Sequence, residues 1–495
     1  MTYFMDSYGC AKNQVDAENM MALLGREGWI CAESADEADI VIINSCGFIE
    51  SAKQESINAV LSWRNLYPKK KILLAGCLAQ RYAKDLSESL PEADGFFGTD
   101  DLNGIARALE QIFNFPAGSK PGAGETSVRQ VPPECTEHVP HEFSGKVARS
   151  GKILPGNRPL LSMPGSAYVK ISEGCDNRCS YCAIPLIRGN LKSRSMEEIL
   201  SECKTLLKRG IRELCLVAQD SGSFGKDRIN IPAGKAPVSA VHYPYSLYGL
   251  LEALSGLKGN FRIRLLYIHP DHFPMPILDM MEKDERILPY FDIPFQHGSE
   301  KILNLMNRSG NARIYLDLIM TIRKRLPDAV IRSTFMTGFP GETEEDFEEL
   351  LDFQKKARLD WLGCFAYSRE ENTPAFDMKG RVPKKTAAAR KRIIEERQVP
   401  ITEKQMDRFV GRAFDVLVEE KFEAIGGQSS APAKKSSRND EEGGKSSLYL
   451  GRLPFQAPEV DGTAVIFSSK PLKLGAKVPC KITARAGFDL KVLVE

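Results

Sequence analysis

Apolar positions in the first 115 residues fall in short unbroken runs rather than in alternation with polar ones. "YFMDSYGC", "ADIVIINSCGF" and "KKKILLAGCLAQ" each hold enough aliphatic or β-branched residues for one strand. Between them, "VDAENMMALLGREG" and "IESAKQESINAVLSW" repeat apolar residues at helical spacing. Apolar strands separated by amphipathic helices predict a parallel sheet covered on both faces. A longer alternation begins at Ala167, with "AYVKIS", "RELCLVAQ", "RIRLLYI", "YFDIPF", "VIRSTFMTG" and "WLGCFAYS" as strands. Its helices include "SMEEILSECKTLLKRG", where Ser195 and Glu198 have capping-box spacing and Gly210 marks the end, and "TEEDFEELLDFQKKARL". Six such units predict an open, partial (β/α) barrel rather than a complete eight-stranded one. The final stretch, with "FDVLVEE", "LYLGRL", "TAVIFSS", "KVPCKITARAG" and "DLKVLVE", reads as short strands of a small β-barrel.

These changes of texture divide the chain into four parts. An N-terminal α/β domain is expected over 1–115, a Pro-, Gly- and Ser-rich linker over 116–157, the partial barrel over 158–395, and the small β-barrel over 396–495. Within the last part, "AIGGQSSAPAKKSSRNDEEGGKSS" over 424–447 is low-complexity and predicts a disordered loop tip.

Composition narrows the function class. Over 495 residues, 42% are apolar and 27% charged, as in ordinary globular proteins, and the net charge of +2 marks no strong polyanion binder. No run of 18 or more apolar residues suggests a membrane span, and the start of the chain lacks the pattern of a secretory signal, so a cytoplasmic location is expected. In that reducing compartment, twelve cysteines point to metal or catalysis before disulfides.

Three of them lie together. "EGCDNRCSYC" places Cys175, Cys179 and Cys182 in a C-x3-C-x2-C pattern directly after a strand. Three thiolates can hold three irons of a 4Fe–4S cube and leave the fourth open for a substrate or cofactor. Zinc is the alternative, but it calls for a fourth ligand, and no histidine lies between His141 and His242. Chance spacing is a further alternative. Cys10, Cys46 and Cys77 each fall at the C-terminal end of one predicted strand, about one βα unit apart. Ligands bind at that edge in open α/β folds, so three strands would deliver a second three-thiolate site, with Gly9, Gly47 and Gly76 providing tight turns. Buried core cysteines are the competing interpretation. Cys31, Cys135, Cys203, Cys215, Cys364 and Cys480 show no ligand spacing. His269, His272 and His297 follow strands, with packing roles favoured for the first two.

"CDNRCSYC" resembles the C-x3-C-x-φ-C motif of the radical S-adenosylmethionine (AdoMet) enzymes, with Tyr181 at the aromatic position. Together with the second cysteine set and the terminal β-barrel, the arrangement resembles the methylthiotransferases, whose C-terminal module is the TRAM domain. The resemblance implies two 4Fe–4S clusters and AdoMet. The open iron at Cys175, Cys179 and Cys182 would bind AdoMet for cleavage to a 5′-deoxyadenosyl radical. The auxiliary cluster at Cys10, Cys46 and Cys77 would carry the donated sulfur. Tyr181 is expected near the adenine, and Gln219, Asp220 and Arg332 as AdoMet contacts. "TGFPGETEED", with Gly338 and Gly341, is either a carboxylate or phosphate loop or a plain turn.

"GCAKNQVDAE", "YCAIPLIRGNLKSRSMEEI", "LPYFDIPFQHGSEKILNLMNR", "RSTFMTGFPGETEEDFEELLDF" and "APEVDG" resemble the ribosomal-protein (RimO) branch more than the tRNA (MiaB) branch. The implied target is the β-carbon of an aspartate in the twelfth small-subunit ribosomal protein (S-twelve), with flavodoxin or ferredoxin as electron donor. Residues 401–495 hold 15 Lys and Arg against 13 Asp and Glu, which favours a protein partner over RNA phosphates. A tRNA-adenosine methylthiotransferase and a non-catalytic iron–sulfur redox sensor stand as alternatives.

Overall fold

A computed structural model describes residues 1–114, 156–228, 245–422 and 447–495. The expected linker over 116–157 and insert over 424–447 lie almost wholly outside the described residues.

The N-terminal sheet has five parallel strands. Thr2–Ser7, Ile40–Ser45 and Lys71–Gly76 lie side by side in that order, flanked by the short strands Ile30–Cys31 and Gly95–Phe97, which the apolar runs did not reveal. Every residue of Ile40–Ser45 is buried, because alternate side chains feed cores on opposite faces: Ile40 and Ile42 on one, Val41 and Ile43 on the other. The chain leaves "KKKILLAGCLAQ" as a strand only as far as Gly76. Cys77 already opens the helix Cys77–Ser89.

All six central strands form, and all their pairings are parallel. They make two three-stranded sheets. A seam beside Ile263 joins the sheets, where the Ile263 amide donates to Arg286 and the Leu288 amide donates back to Ile263. One face of these strands, including Val169, Leu216, Ile263 and Phe291, packs under the surrounding helices. The other face, with Tyr168, Cys215, Leu266, Tyr290 and Trp361, packs against Val15 of the N-terminal domain and Leu453, Phe455 and Ile466 of the C-terminal barrel. Ser195 caps its helix by accepting from the Glu198 amide, while a full reciprocal capping box forms at Thr343 and Asp346. A long helix, Lys384–Asp407, runs without interruption through residue 396. The five C-terminal strands close into a barrel.

The inner face of the central strands is polar where the C-terminal barrel docks. Glu213 is fully buried and accepts from Arg262, Arg264 and Arg452 at 2.5, 2.9 and 2.7 Å. Burial opposes its ionisation, but Arg264, Arg452 and Arg262 hold the carboxyl well below the usual range. A carboxylate with a depressed value stabilises the fold above the ordinary glutamate range near about 4.3 and loses that contribution as pH falls toward its folded value. Glu213→Leu would leave three guanidiniums without their shared partner, and is expected to lower stability by about 3–5 kcal/mol in chemical denaturation at neutral pH. A loss under about 1 kcal/mol would show that the arginines are neutralised in another way.

Candidate functional site

The three N-terminal strands end in register, with Ser7 beside Asn44 and Ser45 beside Gly76. Their following cysteines are therefore delivered to one edge. Cys10 precedes the first turn of the helix Ala11–Arg26, Cys46 directly follows its strand, and Cys77 opens the next helix. Close approach of these loops depends on glycine. At Gly9, φ is +94° and a Cβ would stand 3.0 Å from Cys46 Cβ; at Gly47, a Cβ would stand 2.7 Å from the Cys77 carbonyl oxygen. Asn13 ties the same loops together. Its Nδ2 donates to Tyr8 and Ser45 carbonyls, and its Oδ1 accepts from the Cys77 thiol at 3.1 Å.

The second set lies on one loop. The Cys175 amide donates to Gly189 O and the Cys182 amide to Cys179 O. Asn177 donates to Asp220 at 3.0 Å, Asn307 to the Arg178 carbonyl at 2.9 Å, and the Ser180 amide to Met306 O. These bonds fix the loop on the strand ends. His269 Nε2 stands 3.8 Å from Cys179 Sγ, so this histidine belongs to the site rather than to packing alone.

All six of these cysteines are free thiols. Burial, then repulsion from neighbouring thiols and carboxylates, pushes Cys175 up to about 11. Burial raises Cys179 and Cys182 as well. Burial also pushes Cys46 up to about 12 and raises Cys77. Cys10 is lowered: the surrounding protein disfavours its charge, but Lys12 and Arg188 outweigh that. Polar N–H groups face the sulfurs, from Asn13 and Lys12 to Cys10, Phe48 to Cys46, Asn177 to Cys175 and Ile184 to Cys182. Such a donor set suits thiolate ligation to a positively charged inorganic core. Among the described residues, no three His, Cys, Asp or Glu side chains converge on a single ion. A cube, in which each thiolate takes a different iron, requires no such convergence.

Arg188 joins the two sites. It follows Cys182 by one short helix and is almost wholly buried. It donates to Cys77 Sγ at 3.0 Å, to Asn13 Oδ1 at 2.5 Å, and to the carboxylates of Asp16 and Glu173 at 2.6 and 3.1 Å. Lys170 pairs with the same two carboxylates. Cys77 also packs on Ala183 and Ile187 of that helix. Composition gave no signal for Arg188, Asp16 or Glu173. The one available hint was the polar run "KNQVDAE" at the buried start of the first helix, where Lys12, Asn13, Asp16 and Glu18 are all inside.

The other expected contacts are distributed differently. Tyr181 accepts from Arg308 at 3.2 Å and packs edge-on to Phe339. Gln219 donates to Glu173 at 2.9 Å, and its Oε1 is buried without a partner. Asp220 is spent on its own turn and on fixing the cysteine loop: it accepts from the amides of Gly222 and His269, the Ser223 hydroxyl and Asn177. Arg332 donates to Asp292 at 3.1 Å and lies 3.8 Å from Asp461 of the C-terminal barrel. The loop at Gly338 and Gly341 already holds an anion, since Glu342 accepts from the Gly338 and Phe339 amides. It is a plain turn closed by its own carboxylate.

Comparison with known proteins agrees with this layout. Three family models match: "Uncharacterized protein family UPF0004" over residues 2–98, the radical SAM superfamily over 169–353 and the TRAM domain over 439–494. A ribosomal protein uS12 methylthiotransferase RimO from Treponema denticola is 45% identical, covering 99% of this chain and all of that one. The protein of the same name from Carboxydothermus hydrogenoformans is 37% identical over 99% of each chain. Among solved structures, the radical S-adenosylmethionine methyltransferase TsrM from Kitasatospora setae aligns with a TM-score of 0.51 at 15% identity, over 76% of this chain and 74% of that one, a likeness of fold.

Replacing Arg188 by methionine would remove the cation from a buried cluster and leave Lys170 alone against Asp16 and Glu173. Stability measured anaerobically by chemical denaturation is expected to drop by about 3–5 kcal/mol. A drop no larger than that of an exposed substitution, about 0.5 kcal/mol, would show that the bridge contributes nothing.

Proposed function

The chain belongs to the family of the uS12 methylthiotransferases, and we propose that it attaches a methylthio group to the β-carbon of an aspartate of ribosomal protein uS12, using AdoMet and two 4Fe–4S clusters. The single observation that carries this reading is the pair of three-thiol sites tied together by Arg188. The first set, Cys175, Cys179 and Cys182, would hold the cluster that binds AdoMet. The second, Cys10, Cys46 and Cys77, would hold the cluster that carries sulfur.

When bound, the two clusters supply an electron to cleave AdoMet and a sulfur for transfer. The aspartate β C–H is barely acidic, so a proton-transfer side chain alone would not open it, and a radical initiator is required. The chain's own residues bind and orient. The orphan Gln219 Oε1, on the side chain that donates to Glu173 just before the cysteine loop, is an acceptor suited to the ammonium of AdoMet. Tyr181 would lie along the adenine, held by Arg308. Asp220 and Arg332 would act at one remove, by holding the loop and the inner face of the strands.

The test uses two triple variants in one anaerobic assay. The wild type is expected to carry about eight irons. Alanine at Cys175, Cys179 and Cys182 should halve the iron and abolish 5′-deoxyadenosine formation. Alanine at Cys10, Cys46 and Cys77 should halve the iron and leave 5′-deoxyadenosine measurable, while methylthiolated uS12 peptide disappears from the mass spectrum. Unchanged iron in either variant would refute the ligand assignment. Methylthiolated tRNA in place of uS12 would move the chain to the tRNA reading.

A further inference from the structure

We propose that Lys12 is the anchor for the substrate's side-chain carboxylate, and so the residue that selects aspartate. The inference rests on the uS12 aspartate reading above. Lys12 lies in the first turn of the helix that follows Cys10, and its side chain is only 8% exposed. Its Nζ rests 3.5 Å from the centre of the Tyr267 ring. Among the described residues its side chain makes no hydrogen bond, and no carboxylate comes within 4.0 Å of Nζ.

Three other cations around the two cysteine sites already have carboxylate partners. Arg188 and Lys170 share Asp16 and Glu173, and Arg332 is held by Asp292 and Asp461. Arg308 donates to Tyr181 beside the Cys179 loop and keeps Nε and Nη2 buried without a partner, so its free donors face the other cysteine set rather than Cys10. Lys12 therefore combines three properties: burial, a place two residues from Cys10, and an ammonium with no carboxylate in direct contact, drawn only at longer range by Cys10 and Asp292. A ring face offsets only part of the cost of burying an ammonium. The ammonium is left open to direct contact with an anion that arrives with a ligand.

The substrate carries such an anion in the place where it is needed. An aspartate β-carbon is bonded directly to its carboxylate carbon. Holding the carboxylate on Lys12 would set the reacting carbon one bond away, close to the sulfur-carrying site at Cys10. Tyr267 supports this placement. It adopts a left-handed backbone conformation, φ +61°, just past the strand Arg262–Leu265, and its carbonyl accepts from the Ser221 amide, which fixes the ring beneath the ammonium.

The experiment measures binding rather than turnover. Cluster-loaded full-length protein, held anaerobically, is titrated with a fluorescent uS12 loop peptide carrying either the target aspartate or asparagine in its place. Wild type is expected to bind the aspartate peptide at least about tenfold tighter, which corresponds to about 1.4 kcal/mol. Lys12→Gln and Lys12→Met should lose this preference, while Lys12→Arg should keep most of it. Iron content measured on each sample shows whether the clusters are loaded. Aspartate preference retained in either neutral variant would overturn the assignment of Lys12 alone. A wild type that binds neither peptide would overturn the uS12 reading, and this assignment with it.

Discussion

A guanidinium enters a protein interior only where its N–H groups find acceptors and its charge finds partners. Arg188 meets that demand by drawing on both halves of the molecule: Asp16 and Asn13 from the first helix, Glu173 from the strand end before the cysteine loop, and the Cys77 thiol from the second site. None of these partners can move far without stranding the charge. The distance between the two cysteine sites is thereby set by one side chain, and the helix that carries it begins two residues after Cys182. A second buried cation, Arg158, repeats the device further down, bonded to Glu18 of the first helix and Glu202 of the central domain.

The two sheets bring their ends to this junction for ordinary reasons. Parallel strands place their C-terminal ends on one edge, and the connections that return over the sheet leave that edge free for ligands. Here two such edges face each other across the first helix. That helix is exceptional in being polar at its buried start, and the polar residues are the ones that organise the sites: Asn13 binds the loops, Asp16 neutralises Arg188 and Lys170, and Lys12 lies on Tyr267.

Much of this was legible in the chain. Apolar runs located the three central N-terminal strands and the six barrel strands, because strands covered on both faces need uninterrupted apolar residues, while the five of the terminal barrel, several of them buried on one side only, were legible as short strands between turns. The short edge strands Ile30–Cys31 and Gly95–Phe97 escaped, since an edge of two or three residues carries no periodicity. Cysteine spacing singled out both sets of thiols, but not what joins them. Arg188 stands near cysteines in sequence, yet Asp16, Asn13 and Cys77 lie more than a hundred residues from it, and only the fold pairs them. Asp220, just past the second central strand, and Arg332, within the fifth, hold the scaffold with their side chains, which strand position alone does not reveal.

The docking of the terminal barrel has an evolutionary side. Arg452 bonds Glu213 across 239 residues of sequence, and Asp461 receives Tyr290 and approaches Arg332 in the same way. Each pair is a lock whose two halves sit in different modules. A gene fusion that exchanged the last module for that of a distant cousin would inherit one half only, and would bury an unmatched charge at the seam. The modules of this chain are thus matched to each other: a change on one side of the seam calls for a compensating change on the other.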